Sequence, residues 1–279
     1  MLTGLATLVH VNSTVLLLPL AIAAWSARRA GSLLVVRHRL MAVALLVLST
    51  VLMLTPWTVR NAIELHRFVP VTDETGFTLV GTYNAASAAS RQIPYRWRVF
   101  YTIPGEPAAI GDRRQLTETK LAARLESQAF HYIGKHPSAP LAVLYHNTRR
   151  LLELEGSFAW QVSASSIDVP EATARIGVVS FWVLCLLAIA GMFTRLVRRA
   201  PPWLWLVPVL LWLTVVLINA ETPRFREPID PFLILLGSCA VAAALRAAAH
   251  RLAAPGRRQC GTTVAGRSCQ LVEVRQRLT

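Results

Sequence analysis

The sequence predicts an all-α polytopic membrane protein with about five transmembrane helices and one extracytoplasmic, mainly helical domain with minor β structure between the second and third. Three observations predict it. At 54% hydrophobic and 16% charged residues, a chain of 279 residues has too little polar surface to cover a water-soluble globule. Five apolar runs are long enough to cross a hydrocarbon core of roughly 30 Å, which takes about 20 residues rising about 1.5 Å each. Arginines gather in short segments bordering these runs, as topology signals do.

The runs extend from Leu5 to Trp25, Leu40 to Thr58, Ile176 to Phe193, Trp203 to Ala220 and Pro228 to Ala249. They are apolar around their whole circumference, unlike a surface helix of a soluble core. Arg28, Arg29, Arg37 and Arg39 follow the first run, Arg195, Arg198 and Arg199 the third, and Arg246, Arg251, Arg257 and Arg258 the fifth, which puts those connections in the cytoplasm. The segment from Arg60 to Ala174 holds twelve Lys/Arg against eleven Asp/Glu and belongs outside. The expected division is therefore residues 1–59 with two spans, 60–174 as the extracytoplasmic domain, 175–252 with three spans, and a loosely ordered basic cytoplasmic tail at 253–279. This is a multi-pass protein of the plasma (inner) membrane, and its first partner is the lipid bilayer. The first span would begin outside, at Met1, with no basic flank and no signal-peptide pattern. The expectation is that earlier spans precede it in a longer polytopic protein.

The formal charge of +14 does not point to nucleic acid, since no Lys/Arg stripe interleaved with aromatics occurs. Cysteine chemistry contributes little. Cys185 and Cys239 lie in apolar runs, Cys260 and Cys269 in the tail, and no Cys-x-x-Cys is present. His131 and His136 are five apart, off the spacing that puts two ligands on one helix face, so no metal site and no cofactor are identified. The triplet Asn12-Ser13-Thr14 lies inside a span, beyond reach of glycosylation.

The first half of the outer segment is rich in Gly, Pro, Thr and Asn with short β-branched runs, which predicts loop with two short strands, Phe77 to Gly81 and Trp97 to Ile103. The second half is helical. From Leu116 to Gly134, Leu121, Leu125, Ala129 and Tyr132 share one face, with Thr117 and Lys120 giving an imperfect cap. A second helix from Leu141 to about Leu154 repeats the pattern through Leu144, Thr148, Leu151 and Leu152, with Arg149 and Arg150 directed at lipid headgroups.

Between the last two runs stands the charged elbow ETPRFREPIDPF, residues 221–232. At an outer interface, guanidinium groups hold phosphate bidentately while their stems stay among apolar groups. Pro223 and Pro228 favour extended backbone at Thr222 and Glu227, which would point Arg224 and Arg226 the same way. Glu221, Glu227 and Asp230 supply countercharge, and Pro228 and Asp230 suit the first turn of the last span. Two readings fit this pattern: a phosphate site, or a salt-bridge cluster pinning two spans together. Arg60, just past the interfacial Trp57, carries the same pair of readings, ligand or snorkelling side chain. The outer acids Glu64, Asp73, Glu74, Glu106 and Asp112 show no partner spacing that marks a catalytic group, and the catalytic residue is unknown.

The stretch TPWTVRNAIELHRFVPVTDETGFTLVGTYN resembles the segment after a membrane span in the C-type (GT-C) integral-membrane glycosyltransferases, the group of dolichyl-phosphate-mannose-protein mannosyltransferase and the aminoarabinose transferase of lipid A. Pro56, Trp57, Thr58, Arg60, Asn61, Pro70, Gly76, Gly81 and Asn84 occupy the group's motif positions. PRFREP resembles its Pro-Arg-Tyr-Arg-x-Pro, with Phe225 where Tyr is usual, and GKHPSAPLAVLYHNTRRL is similar to the helix before its final spans. The matches run in family order from about residue 4 to 245. His10-Val11-Asn12 departs from the Arg-Pro frequent in the first span.

The resemblance implies a polytopic helical enzyme that moves a sugar from a polyprenyl-phosphate carrier on the outer face of the membrane. It implies Arg224, Arg226 and Arg60 as ligands of the lipid phosphate and Asn61 and Asn84 as sugar or acceptor contacts. Such enzymes carry their catalytic acid in a first outer loop that has no counterpart here. The implied function is thus the C-terminal portion of a membrane glycosyltransferase lacking that loop, with a divalent metal left open for a complete enzyme and any protein partner unknown. The alternative is a non-catalytic membrane protein that binds polyprenyl phosphate or assists a partner transferase. A transporter ranks last, because the spans offer only His10, Asn12 and Asp230 as interior polar groups.

Overall fold

The computed structural model describes residues 1–26, 33–104, 117–220 and 222–252, and among them every regular element is helical. Among the described residues, ten helices of eight residues or more carry the fold: α1 (Leu2–Val9), α2 (Leu17–Ser26), α3 (Leu33–Leu65), α4 (Thr75–Thr82), α5 (Glu118–Lys135), α6 (Ala139–Leu151), α7 (Ser157–Ser166), α8 (Glu171–Met192), α9 (Pro202–Val216) and α10 (Asp230–Leu252). Met1–Val241 forms one compact unit; in the second, Ala242–Thr279, the described residues are the end of α10. The expected loose tail at 253–279, Glu221, Glu106 and Asp112 lie outside the described residues.

Among the described residues, three segments are long and apolar enough to cross a membrane: Val36–Leu65 in α3, Glu171–Met192 in α8 and Asp230–Arg251 in α10. Their large side chains face outward: Leu48, Leu52, Ile176, Leu186 and Ile234 are all more than half exposed. Apolar surface on that scale marks a lipid-facing protein. The other two expected spans are shorter, Val11–Ser26 and Pro202–Val216. The first is broken: α1 ends at His10, whose backbone is extended, and a 3₁₀ turn over Val11–Leu16 leads into α2. The sequence His10-Val-Asn-Ser-Thr-Val explains the break, because β-branched and hydroxyl residues favour local alternatives to the α-helix; the Thr14 hydroxyl donates to the Val11 carbonyl at 2.7 Å.

α9 stops at Val216, and its last carbonyls and those just beyond accept from the segment between α3 and α8. Asn147 Nδ2 donates to the Val216 carbonyl at 2.8 Å, Tyr83 to Leu217 at 2.7 Å and Thr82 to Ile218 at 2.7 Å. Burial, with Tyr95 adding to it, pushes the Tyr83 hydroxyl up to about 12, so it stays a donor. These bonds answer the unsatisfied C=O groups that every helix end leaves.

The two expected strands are absent. Phe77 to Gly81 lies within α4, where Gly76 permits the backbone to approach α5 so closely that a Cβ would collide with the Ala122 carbonyl oxygen. Phe77 meets Phe100 edge-to-face with centroids 5.5 Å apart. Trp97 to Ile103 has one ladder-like bond, Arg98 N–H to the Gly81 carbonyl at 3.0 Å, and then a 3₁₀ turn at Phe100–Thr102. Packing against a helix overrides the β-branched composition that suggested strands.

The expected face of α5 is the core of this segment: Leu121, Leu125 and Ala129 are buried with Val80, Tyr83, Ala139 and Val143, and Tyr132 packs at the edge. Thr117 precedes the helix with no side-chain cap bond. Since Leu125 is fully buried, Leu125→Ala is expected to destabilise the protein by about 2–5 kcal/mol, measured by thermal unfolding in detergent. On α6 neither arginine is fully exposed: Arg149 is half-buried and donates to the Leu154 carbonyl at 3.0 Å. Arg150 is buried, ion-paired to Glu155 at 2.8 Å, because the helix turns that face into the protein.

Candidate functional site

The elbow between α9 and α10 sits where α6, α8 and α10 meet. Thr222 is extended, as its following proline dictates, but Pro223–Arg226 forms a 3₁₀ turn and Glu227 is in the α region. Proline at the first position of a helical turn has its φ already set, and that role prevails over extension. In a three-residue turn, side chains two apart diverge by about 120° around the axis. Arg224 is therefore exposed and lies 5.2 Å from the Phe225 ring, while Arg226 turns inward. Phe225 anchors the turn against Leu151, Val215, Val216 and Ala220.

Arg226 is held on three sides. Nε donates to Asp230 Oδ1 at 3.0 Å, Nη1 to the Leu151 carbonyl at 2.8 Å, and the guanidinium lies 3.4 Å from the centroid of the Phe181 ring on α8. Two of the five guanidinium N–H donors are thus engaged; among the described residues, Nη2 has no acceptor.

The guanidinium borders a cavity of about 250 Å³. Trp160 and Ala164 of α7, Ile167 just after it, and Val178 and Phe181 of α8 make its apolar wall. Glu153 is the other charged group in the lining. Its position follows from how α6 ends: the Glu153 N–H bonds the Arg150 carbonyl at 2.9 Å and the Leu154 N–H bonds that of Arg149 at 2.8 Å, a closure that needs a left-handed residue. Glu153 supplies it with φ +58°, where Gly or Asn is usual, at about 1–3 kcal/mol of strain. The residue is 8% exposed, and among the described residues nothing donates a hydrogen bond to its carboxylate. Burial pushes the carboxyl up to about 7, against the pull of Arg226, which lowers it.

Of the five residues predicted from sequence, Arg226 alone is among the residues that line this cavity. Arg60 is exposed, 5.1 Å from the Trp57 ring, and donates to Asn61 Oδ1 at 3.1 Å. Asn61 is buried and donates to the Val69 carbonyl at 3.1 Å. With Trp57 to Val71 at 2.9 Å and Thr58 to Pro70 at 2.9 Å, it clamps the returning chain onto the end of α3. Asn84 caps the turn Ala85–Ala88, accepting from the Ser87 N–H at 2.7 Å and donating to Val80 and Gly81. The WTxxN and Asn84 positions thus act here as fasteners of the fold.

Glu153 was missed by the sequence reading, although a signal existed. Acids directly after a helix C-terminus oppose the helix dipole, and both Glu153 and Glu155 follow α6. Among the described residues, no group of three or more His, Cys, Asp or Glu is placed to hold a metal ion. Compared with protein-family models, curated proteins and solved structures, the chain matches none.

Proposed function

We propose that the elbow cavity takes the phosphate end of a polyprenyl-linked sugar, and that the chain is the later part of a lipid-linked-sugar glycosyltransferase working at the outer face of the plasma membrane, in a five-span arrangement. The observation that carries the reading is Arg226. Its guanidinium is oriented by Asp230 and the Leu151 carbonyl, stacked on Phe181, and left with donors unengaged at the edge of an apolar cavity. A charge fixed in an apolar wall suits a ligand with an anionic head and a hydrocarbon body. The arginine-rich flanks of the apolar runs support the orientation, and the motif resemblance supports the class of ligand.

The test is binding of a polyprenyl phosphate to the full chain in detergent micelles. Arg226→Gln is expected to weaken binding by about tenfold or more. Since Arg226 also braces α6, a second variant separates binding from folding. Gly177 lines the cavity, and a Cβ built there meets nothing within 4 Å. Gly177→Phe is therefore expected to fill the space and block the ligand while leaving the elbow bonds in place. Unchanged affinity in both variants would return the elbow to a purely structural role.

A further inference from the structure

We infer that the cavity is a proton-coupled anion site: Glu153 takes up one proton when a singly charged phosphodiester enters beside Arg226. The inference rests on the lipid-phosphate reading above and adds the linkage.

From the elbow, Arg226 faces the cavity with one positive charge, beside the exposed Arg224 and Glu227; from the start of α10, Asp230 bonds it and offsets part of that charge. From α6, Arg150 is already matched by Glu155, and Arg149 is engaged with Tyr145 and the Leu154 carbonyl. α7 and α8 bring apolar and hydroxyl groups to the lining, with the Cys185 thiol one turn past Phe181. Among the described residues, an ionised Glu153 thus shares its counter-charge in the lining, Arg226, with Asp230. Adding an anion would put two like charges into the same apolar space, which is the condition under which one of them neutralises.

Protonation removes the conflict and supplies something useful. A neutral carboxyl has an O–H to donate, and a phosphodiester oxygen is its acceptor. The cavity would then present two donors to one anion, the Glu153 O–H and Arg226 Nη2. The backbone supports a functional place for Glu153: glycine would relieve the left-handed strain at φ +58°, whereas glutamate retains it and adds a buried carboxylate without a donor. Burial holds the carboxyl at about 7, poised to change state near neutrality. The folded-state value stands above the ordinary 4.5, so Glu153 in the empty protein favours folding least at high pH, and an anion that needs the protonated form binds best at low pH.

The experiment uses the full chain in detergent and a short isoprenyl methyl phosphodiester, which stays monoanionic across the range. Affinity is measured by calorimetry from about pH 5.5 to about pH 8.5, in two buffers of different ionisation enthalpy so that proton uptake is counted. For the wild type, affinity should be level at low pH and fall by about tenfold per unit above about pH 7, with close to one proton taken up per ligand at the alkaline end. Glu153→Gln should bind at every pH with no slope and no proton uptake, and Glu153→Gly should likewise lose the slope. A wild-type affinity independent of pH, or a slope that survives in Glu153→Gln, overturns the proton linkage and leaves the lipid-phosphate reading standing. Absence of binding at any pH, in wild type and Glu153→Gln alike, overturns both.

Discussion

Arg150→Ala is expected to lower the stability of the protein by about 3–5 kcal/mol, among the largest single losses available in the segment between α3 and α8. The side chain is 4% exposed and reaches three acceptors: Glu155 Oε2 at 2.8 Å, Asn147 Oδ1 at 2.8 Å and the Pro94 carbonyl at 2.7 Å. It ties α6 both to the segment that follows it and to the loop after Asn84. Removing it strands Glu155, itself 5% exposed, with the His146 ring 3.2 Å away as its remaining partner. A buried carboxylate without its cation is far more costly than a broken surface pair. Asn147 would also lose the bond that orients its amide toward the Val216 carbonyl, loosening the dock of α9. Thermal unfolding in detergent reads the loss. A drop of less than about 1 kcal/mol would mean that the network behaves as a surface pair. The double variant Arg150→Leu with Glu155→Leu should recover much of the stability, since no lone charge is then left inside.

The parts of the fold that were legible are those where one signal has no rival. The apolar runs in α3, α8 and α10 are long and carry their charges toward their ends, a pattern that length and composition alone identify. The face Leu121, Leu125, Ala129 on α5 follows from helical spacing alone. Elsewhere two local rules conflicted and the sequence could not say which prevails. At the elbow, the proline rule for Glu227 argued for extension, and the helix-start preference of Pro223 won. At Phe77 to Gly81, β-branched composition argued for a strand, and the glycine approach to α5 made a helix. The first run satisfied length and hydropathy yet breaks at His10, because hydropathy does not count hydroxyls that bond their own backbone.

The candidate site was half legible for a different reason. Arg226 could be found because charge between two apolar runs is conspicuous. Asp230 is four residues on, but its other partners are non-local: the Leu151 carbonyl is 75 residues away, and Phe181 comes from another helix. Glu153 reads from sequence as one acid among several in a mixed-charge segment, and only the closure of α6 turns it into the cavity. Asn61 and Asn84 illustrate the converse. Their motif positions stand out, and their side-chain amides donate to backbone carbonyls within ten residues.

The second large effect concerns how the long helices meet. α8 and α10 approach at Gly191, where an added Cβ would collide with the Leu236 carbonyl oxygen. The obstacle is backbone rather than the end of a flexible side chain, so it cannot swing aside. Small residues at helix contacts in lipid work this way, letting backbones pack where no hydrophobic force draws helices together. Gly191→Ala is therefore expected to destabilise by about 1–3 kcal/mol, and Gly191→Val by more, because α10 itself must shift. Gly177 sits on the same helix with open space around its Cβ, so Gly177→Ala is expected to stabilise by about 0.5–1 kcal/mol through helix propensity alone. The opposite signs of one chemical change on one helix separate the contact from the propensity. The site should feel only the first. α8 carries Phe181 and α10 begins at Asp230, the two groups that orient Arg226, so parting the helices at Gly191 should weaken polyprenyl-phosphate binding along with stability. If alanine at 191 instead matched alanine at 177 in both unfolding temperature and binding, the two helices would not be in contact there, and the bracing of Arg226 from both sides would have to come from elsewhere.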